Sequence, residues 1–375
     1  MPKRAAFSLN TIYGAYNLSG HITTYKTMTR FGILTLLLLF PFFHSAHSSA
    51  DDLFELKLGL EWFLNPDHMP IVVAIEEGYF KDFGLNVKVV EPIDHWDADR
   101  EIQVGNLDVA TTEPLHLAQD AAQGKPVLGF SRFFHTDGGV MFLESSGISR
   151  PKDMCGKTIQ YPGSPGPGGP AIVQTMVEAD GGVCDVESYG KYNNGFYHTD
   201  ALKDGNADVA TLMFYNFEMI EAEQRGLEAG YFSLKDWGVP DFCQLVLFTT
   251  PERYSELKPH LRNLVLAMRK ATSFIHRNPK LAMRDFAAYA KRTSPPPARN
   301  PLSILNPLAW ARSLKAKKAE LATMKATIPA FPNDNTLASD FNDQLMSWLV
   351  QSGQVDEANA KQTPPSKYYT NDIAI

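Results

Sequence analysis

Hydrophobic and polar positions along the chain switch between two periods. FELKLGLEW (54–62) alternates with the period of a strand, and MPIVVAIEEGYFKDFG (69–84) reads as a helix closing on a glycine. LNVKVVEP (85–92), KPVLGFSRF (125–133) and GVMFLES (139–145) predict further strands. CGKTIQYPG (155–163) predicts a new strand, PAIVQTMVEAD (170–180) a helix, and QLVLFTTPE (244–252) a strand leading back toward the first half. From Ser255 onward the pattern is mostly helical, interrupted by the proline-rich SPPPARNPLSILNP (294–307), which predicts a surface loop.

One heptapeptide occurs twice. GNLDVAT (105–111) and GNADVAT (205–211) lie 100 residues apart and differ at one position. Each follows a helical stretch, DREIQV or HTDALKD, so the glycine suits a helix C-cap and Asp-Val-Ala-Thr starts a short buried strand. Each is followed by a second helical stretch, LHLAQDAAQ (115–123) or FYNFEMIEAEQR (214–225). Pro114 fits the first position of a helix. Two such units predict an α/β protein of two lobes with a cleft between them. Residues 51–145 form the expected first lobe and 146–245 the second. Residues 246–375 return to the first lobe with C-terminal helices.

Ligands of open α/β sheets bind beyond the carboxyl ends of strands. The repeated strands therefore aim Thr112, Glu113 and His116 from one lobe, and Phe214, Tyr215, Asn216 and Glu218 from the other, at one place. Trp62 opens a loop running to His68, where an aromatic ring can stack on a flat ligand. His135 and Thr136 begin a polar turn between two apolar strands. GSPGPGGP (163–170), containing Ser164, has backbone N–H groups able to hold an anion or carbonyl, with a plain entry loop as the alternative.

The first fifty residues hold Lys3, Arg4, Lys26 and Arg30 and no acid. FGILTLLLLFPFF (31–43) follows Arg30, and Ser48-Ser49-Ala50 supplies small residues before Asp51. This is the pattern of a secretory signal, with residues 1–50 as signal peptide and upstream extension, Met28 a plausible start and Asp51 the mature terminus. Its apolar core is shorter than the roughly 20 residues a membrane span needs. An uncleaved anchor is the alternative; the expected location is periplasmic. The whole chain carries 35 basic and 42 acidic residues, so no basic surplus favours nucleic acid. In an oxidising compartment Cys155 and Cys184, which flank one strand–helix unit, are the expected disulfide, against three buried free thiols.

Catalytic signatures fail. Gly156-Lys157-Thr158 lacks the earlier glycine of a phosphate loop, where Pro151 stands, and prolines spoil residues 163–170 as a dinucleotide turn. His68, His95, His116 and His135 have no metal-ligand spacing, and Trp62, Trp96 and Trp237 each also suit a core. No metal and no cofactor is expected, and the chain does not read as an enzyme.

Four stretches carry a family resemblance: LEWFLNPDHMPIVVAIEEGYFKDFGLNVKVVEP (60–92), the Gly-x-x-Asp strand and helix through Gly124-Lys125-Pro126-Val127, PKDMCGKTIQYPG (151–163) and the terminal TNDIAI. They resemble the periplasmic solute-binding proteins that share a domain with fungal thiamine-pyrimidine synthases. The resemblance implies a two-lobed periplasmic-binding-protein (type II) clamp with a mixed sheet in each lobe. It also implies a monomer that hands a small-molecule ligand, such as a pyrimidine precursor of thiamine, to an ABC importer permease. Ligand positions carry over to Trp62, His68, His135, Thr136 and Tyr215-Asn216-Phe217-Glu218, with Trp62 and Tyr215 sandwiching the ring and Glu218 accepting from a ring amino group. Phe217 stands where bacterial pyrimidine binders often carry Trp. Alternatives are a sulfonate, riboflavin-like or other solute, a sensory or docking role, and a pyrimidine synthase. The synthase's histidine matches His116, but Thr112 stands at its lysine position and Cys243 alone remains of its cysteine cluster.

Overall fold

The structure, a computed structural model, describes residues 53–92, 96–161, 168–195, 197–293, 318 and 320–374. The expected signal segment with Met28 and Asp51, together with His95, Ser164 and the proline-rich insert, lies outside the described residues.

Two five-stranded mixed sheets carry the fold. The first is built from β1 (Phe54–Gly59), β2 (Leu85–Val90), β3 (Val109–Thr112), β4 (Leu128–His135) and β10 (Gln244–Thr249), in the order β2-β1-β3-β10-β4. The second takes β5 (Gly138–Leu143), β6 (Thr158–Gln160), β7 (Gly190–Tyr192), β8 (Val209–Phe214) and β9 (Ala229–Ser233), in the order β7-β6-β8-β5-β9. In each sheet the first three strands in this order are parallel, and the fourth is antiparallel to both its neighbours. That fourth strand comes from beyond a crossover: β10 returns to the first sheet and β5 enters the second.

The repeated heptapeptide does the same work in both sheets. Gly105 and Gly205 adopt left-handed φ values of 79° and 70° and end their helices. The Asp108 carboxylate accepts the Lys57 N–H at 2.8 Å, and Asp208 accepts the Thr158 N–H at 2.8 Å. Thr111 donates to the Gly59 carbonyl and Thr211 to the Gln160 carbonyl, each at 3.3 Å. The aspartate thus clamps the neighbouring strand, midway along β1 and at the start of β6, and the threonine clamps its end. This sets the register Leu58↔Val109 in one sheet and Ile159↔Val209 in the other.

Several expectations shift. β5 belongs to the second sheet, so the first crossover falls at Thr136-Asp137 instead of after residue 145. β10, beginning at Gln244, already belongs to the first sheet. Apolar alternation marks β5 as a strand but carries no information on which sheet it joins. Space explains the crossing: a Cβ on Gly138 would stand 1.7 Å from the Cys243 sulfur, and one on Gly139 would stand 2.1 Å from the Phe232 carbonyl oxygen. The helix expected over 69–84 breaks into Met69–Glu76 and Tyr79–Asp82 at Gly78, whose φ is 73°. Cys155 and Cys184 form a disulfide, and Cys243 is a buried thiol. No helix among the described residues is long and apolar enough to cross a membrane.

Asp208→Ala strands the Thr158 N–H at the start of β6. The expected cost is about 1–3 kcal/mol of unfolding free energy in a urea titration, the range for an unmet buried donor.

Candidate functional site

Because β1, β2 and β3 run parallel, as do β6, β7 and β8, their carboxyl-terminal loops gather on one edge of each sheet. The cleft between the lobes lies there. Its larger part encloses about 800 Å³, including space open to solvent, and is walled by Glu61, Trp62, Trp96, Glu113, His116 and Lys125 among others. A smaller part of about 330 Å³ continues past Asn65, Asp67, Phe214, Phe217 and Glu218. Glu61, Trp62, Glu113 and Leu212 line both parts.

The lobes are closed on one another. Asn216 on the second lobe donates through Nδ2 to Asp67 Oδ1 at 2.6 Å and to Thr327 Oγ1 at 2.8 Å. His116 Nε2 lies 3.3 Å from the Tyr161 hydroxyl, and the Trp62 ring lies 5.8 Å from that of His198. Trp348 donates to Thr175 at 3.0 Å farther along the interface.

Four carboxyl groups lie buried or nearly so at the cleft, and each meets a donor. Glu61 is held by His68 Nε2 at 2.8 Å and by the Thr111 hydroxyl. Burial opposes its charge, but His68 and Thr111 outweigh burial and keep the carboxyl below its usual range. Glu113 accepts from His116 Nδ1 at 2.9 Å. Burial pushes the His116 ring down, and Glu113 outweighs it, raising the ring above its usual value. For Asp67, burial dominates, and the carboxyl rises to about 7 despite His68 and Asn216. For Glu218, burial raises the carboxyl to about 8; the Phe214 N–H, at 2.8 Å, pulls it down only in part, and the Asp67 charge adds to the rise. Burial thus favours the protonated form of Glu218 at neutral pH, which can both donate and accept.

Lys125 sits in the cleft wall with its ammonium 3.0–3.5 Å from Asp120, Asp97 and Asp99. Burial lowers its basicity, but the three carboxylates outweigh that and lift it well above the ordinary lysine value. Leu212, beside the cleft, has φ 56° and is the single non-glycine with positive φ among the described residues. Such strain costs about 1–3 kcal/mol and concentrates at functional sites.

The expected site residues divide. Trp62, Glu113, His116 and Glu218 line the cleft. His68 is fully buried and positions Glu61, while Asn216 latches the lobes. Tyr215 does not reach the cleft: it is 45% exposed and packs edge-on against Tyr231. β8 runs on to Phe214, and a five-residue wide turn, Tyr215–Met219, then swings Phe217 and Glu218 inward. His135 and Thr136 sit in the crossover, where His135 meets Asp241 at 3.0 Å and the Thr136 N–H donates to the Cys243 carbonyl. Neither lines the cleft. Glu61, Asp67, Trp96 and Leu212 were missed. Glu61 and Asp67 stand in the same loop as Trp62, and that proximity was the available signal. Among the described residues no group of three or more His, Cys, Asp or Glu could hold a metal ion.

Known proteins place this geometry. A formylaminopyrimidine-binding protein of Halalkalibacterium halodurans is 30% identical over 68% of this chain and 78% of its own. A protein of Legionella pneumophila named 4-amino-5-hydroxymethyl-2-methylpyrimidine phosphate synthase is 26% identical over 61% of this chain and 71% of its own. The fold matches the alkanesulfonate-binding protein SsuA from Xanthomonas axonopodis pv. citri bound to MOPS. That match has a TM-score of 0.61 at 12% identity and covers 84% of this chain and 98% of that one. The architecture is thus that of a periplasmic binding protein. With a family model described as NMT1/THI5 like matching residues 65–282, the chain belongs to the NMT1/THI5-like family.

Proposed function

We propose that the chain is the solute-binding component of an ABC importer, acting in the periplasm and closing its lobes over an aminopyrimidine precursor of thiamine. The carrying observation is the buried Glu218 carboxyl beside Trp62 and Phe217. A 4-aminopyrimidine edge offers an exocyclic N–H donor next to a ring-nitrogen acceptor. A protonated carboxyl offers the matching acceptor and donor, in a pocket dry enough for both bonds to count. Trp62 supplies an aromatic face for the ring. The formylaminopyrimidine-binding relative supports the same ligand class. Because the ring touches both lobes, its binding free energy favours the closed form by its differential affinity for that form.

The synthase name among the relatives motivates the second reading. A Schiff-base lysine needs a free amine, which burial or a neighbouring cation supplies. Lys125, the lysine of the cleft, is surrounded by three carboxylates that hold it protonated, and Thr112 stands beside Glu113. Carrying the ligand without altering it fits this cleft better.

Titration calorimetry with formylaminopyrimidine tests the proposal. Wild type should bind. Trp62→Ala should weaken binding at least several-fold, in keeping with about 0.5–1.5 kcal/mol for an aromatic pair beyond its buried area. Glu218→Met should weaken it by about tenfold or more, since it removes both polar atoms at about 1–3 kcal/mol. Tyr215→Ala should bind like wild type. No heat with the wild-type protein would overturn the ligand class.

The pH dependence has a definite sign. Carboxyls raised to about 7 and about 8 bind protons more tightly in the closed fold than in the unfolded chain. Their stabilisation is complete below the ordinary carboxylate range and is lost as pH rises through those values. The melting temperature of the ligand-free protein should fall between about pH 5 and 8 and level off above that, and Glu218→Gln, which cannot titrate, should flatten that fall.

A further inference from the structure

His198 stands out among the polar groups buried at the lobe interface. Its residue is 1% exposed, and neither ring nitrogen has a hydrogen-bond partner among the described residues. Burial alone drops the ring to about 4, so it is a neutral imidazole with one donor and one acceptor unused. Buried polar side chains are seldom left this way, because each unmet atom carries its full desolvation cost.

Topology puts this histidine on the ligand edge of its sheet. β6, β7 and β8 are parallel, and the loops after β6 and β8 are those the sequence aims at the cleft. His198 ends the corresponding loop after β7. The loop is stapled to β6 through Gln160, which accepts the Asn194 N–H at 2.8 Å and donates to the Gly195 carbonyl at 3.1 Å. Across the interface the His198 ring lies 5.8 Å from Trp62, tilted by 37°, and Trp62 walls both parts of the cleft. His198 itself lines neither part of the cleft, so a ligand stacked on Trp62 meets it only through a substituent reaching past the edge of that ring.

We infer that His198 is a further ligand-contacting residue that sets specificity by pairing with an uncharged hydrogen-bonding substituent of formamide type on the bound ring. The inference rests on the proposed aminopyrimidine reading and adds the substituent to it. A formamide carbonyl can accept from the ring N–H. A phosphate or sulfonate finds no charge partner here, because the histidine is neutral and Lys125 is already held by three carboxylates.

Two ligands separate the contributions: formylaminopyrimidine, and 4-amino-2,5-dimethylpyrimidine, which keeps the ring and lacks the polar substituent. His198→Phe keeps an aromatic ring against Trp62 and removes both nitrogens, so it should melt no lower than wild type. It should bind formylaminopyrimidine about tenfold more weakly and the dimethyl compound within twofold of wild type. His198→Gln, with a donor and an acceptor of its own, should recover part of the loss. Glu218→Met should weaken both ligands. Equal affinities of His198→Phe and wild type for formylaminopyrimidine would overturn the inference, and so would an equal loss for both ligands, which marks a packing role. Should His198→Phe not fold, the same ratio measured on His198→Met decides. Wild type binding neither compound would remove the aminopyrimidine reading, whereas an unchanged His198→Phe beside a weakened Glu218→Met removes this inference alone.

Discussion

Closing two lobes over four carboxyl groups is the constraint around which the interface is arranged. Removing such a group from water is costly unless a donor replaces the lost hydration or the group takes up a proton. The chain uses both remedies. His68 with Thr111 serves Glu61, and His116 serves Glu113. Asp67 and Glu218 are less fully met, and burial raises both toward protonation. The cleft thereby acquires a mixed character: Glu61 is held toward its charged form, while Asp67 and Glu218 are pushed toward protonation.

That arrangement depends on the Asp-Val-Ala-Thr repeat. In each sheet an aspartate ties down an N–H of the neighbouring strand, at Lys57 within β1 and at Thr158 where β6 begins, and a threonine ties its end. Both clamps hold the strand whose carboxyl end feeds the cleft. In the first lobe the same Thr111 also reaches Glu61, so register and site chemistry share one side chain. The crossover adds a second restriction. Gly138 and Gly139 let the exchanged strands pass within contact of Cys243 and Phe232, where a side chain would not fit.

The cleft's charge bears on what it can accept. Lys125 is a cation whose field is spent on Asp97, Asp99 and Asp120. Glu61 and Glu113 stand nearby, each paired with a histidine. The sulfonate-binding structural neighbour shares the backbone architecture at 12% identity, and a shared fold carries no side-chain chemistry with it.

By itself the sequence determined the α/β class, the two repeated units, most strand positions, and Trp62, Glu113, His116 and Glu218 as cleft residues. Those features are local: they follow from periodicity, from glycine caps and from what stands just past a strand end. Tertiary structure decided the rest. Strand exchange depends on which sheet has an open edge, and apolar alternation in β5 is the same in either. Tyr215 and Phe217 are equally aromatic in the chain, and only the wide turn after β8 sends one outward and the other in. Glu61, Asp67 and Glu218 read as ordinary acids until burial and their partners separate them, holding the first charged and driving the other two toward protonation. Proton affinity belongs to the environment, and the closed interface between the lobes supplies it.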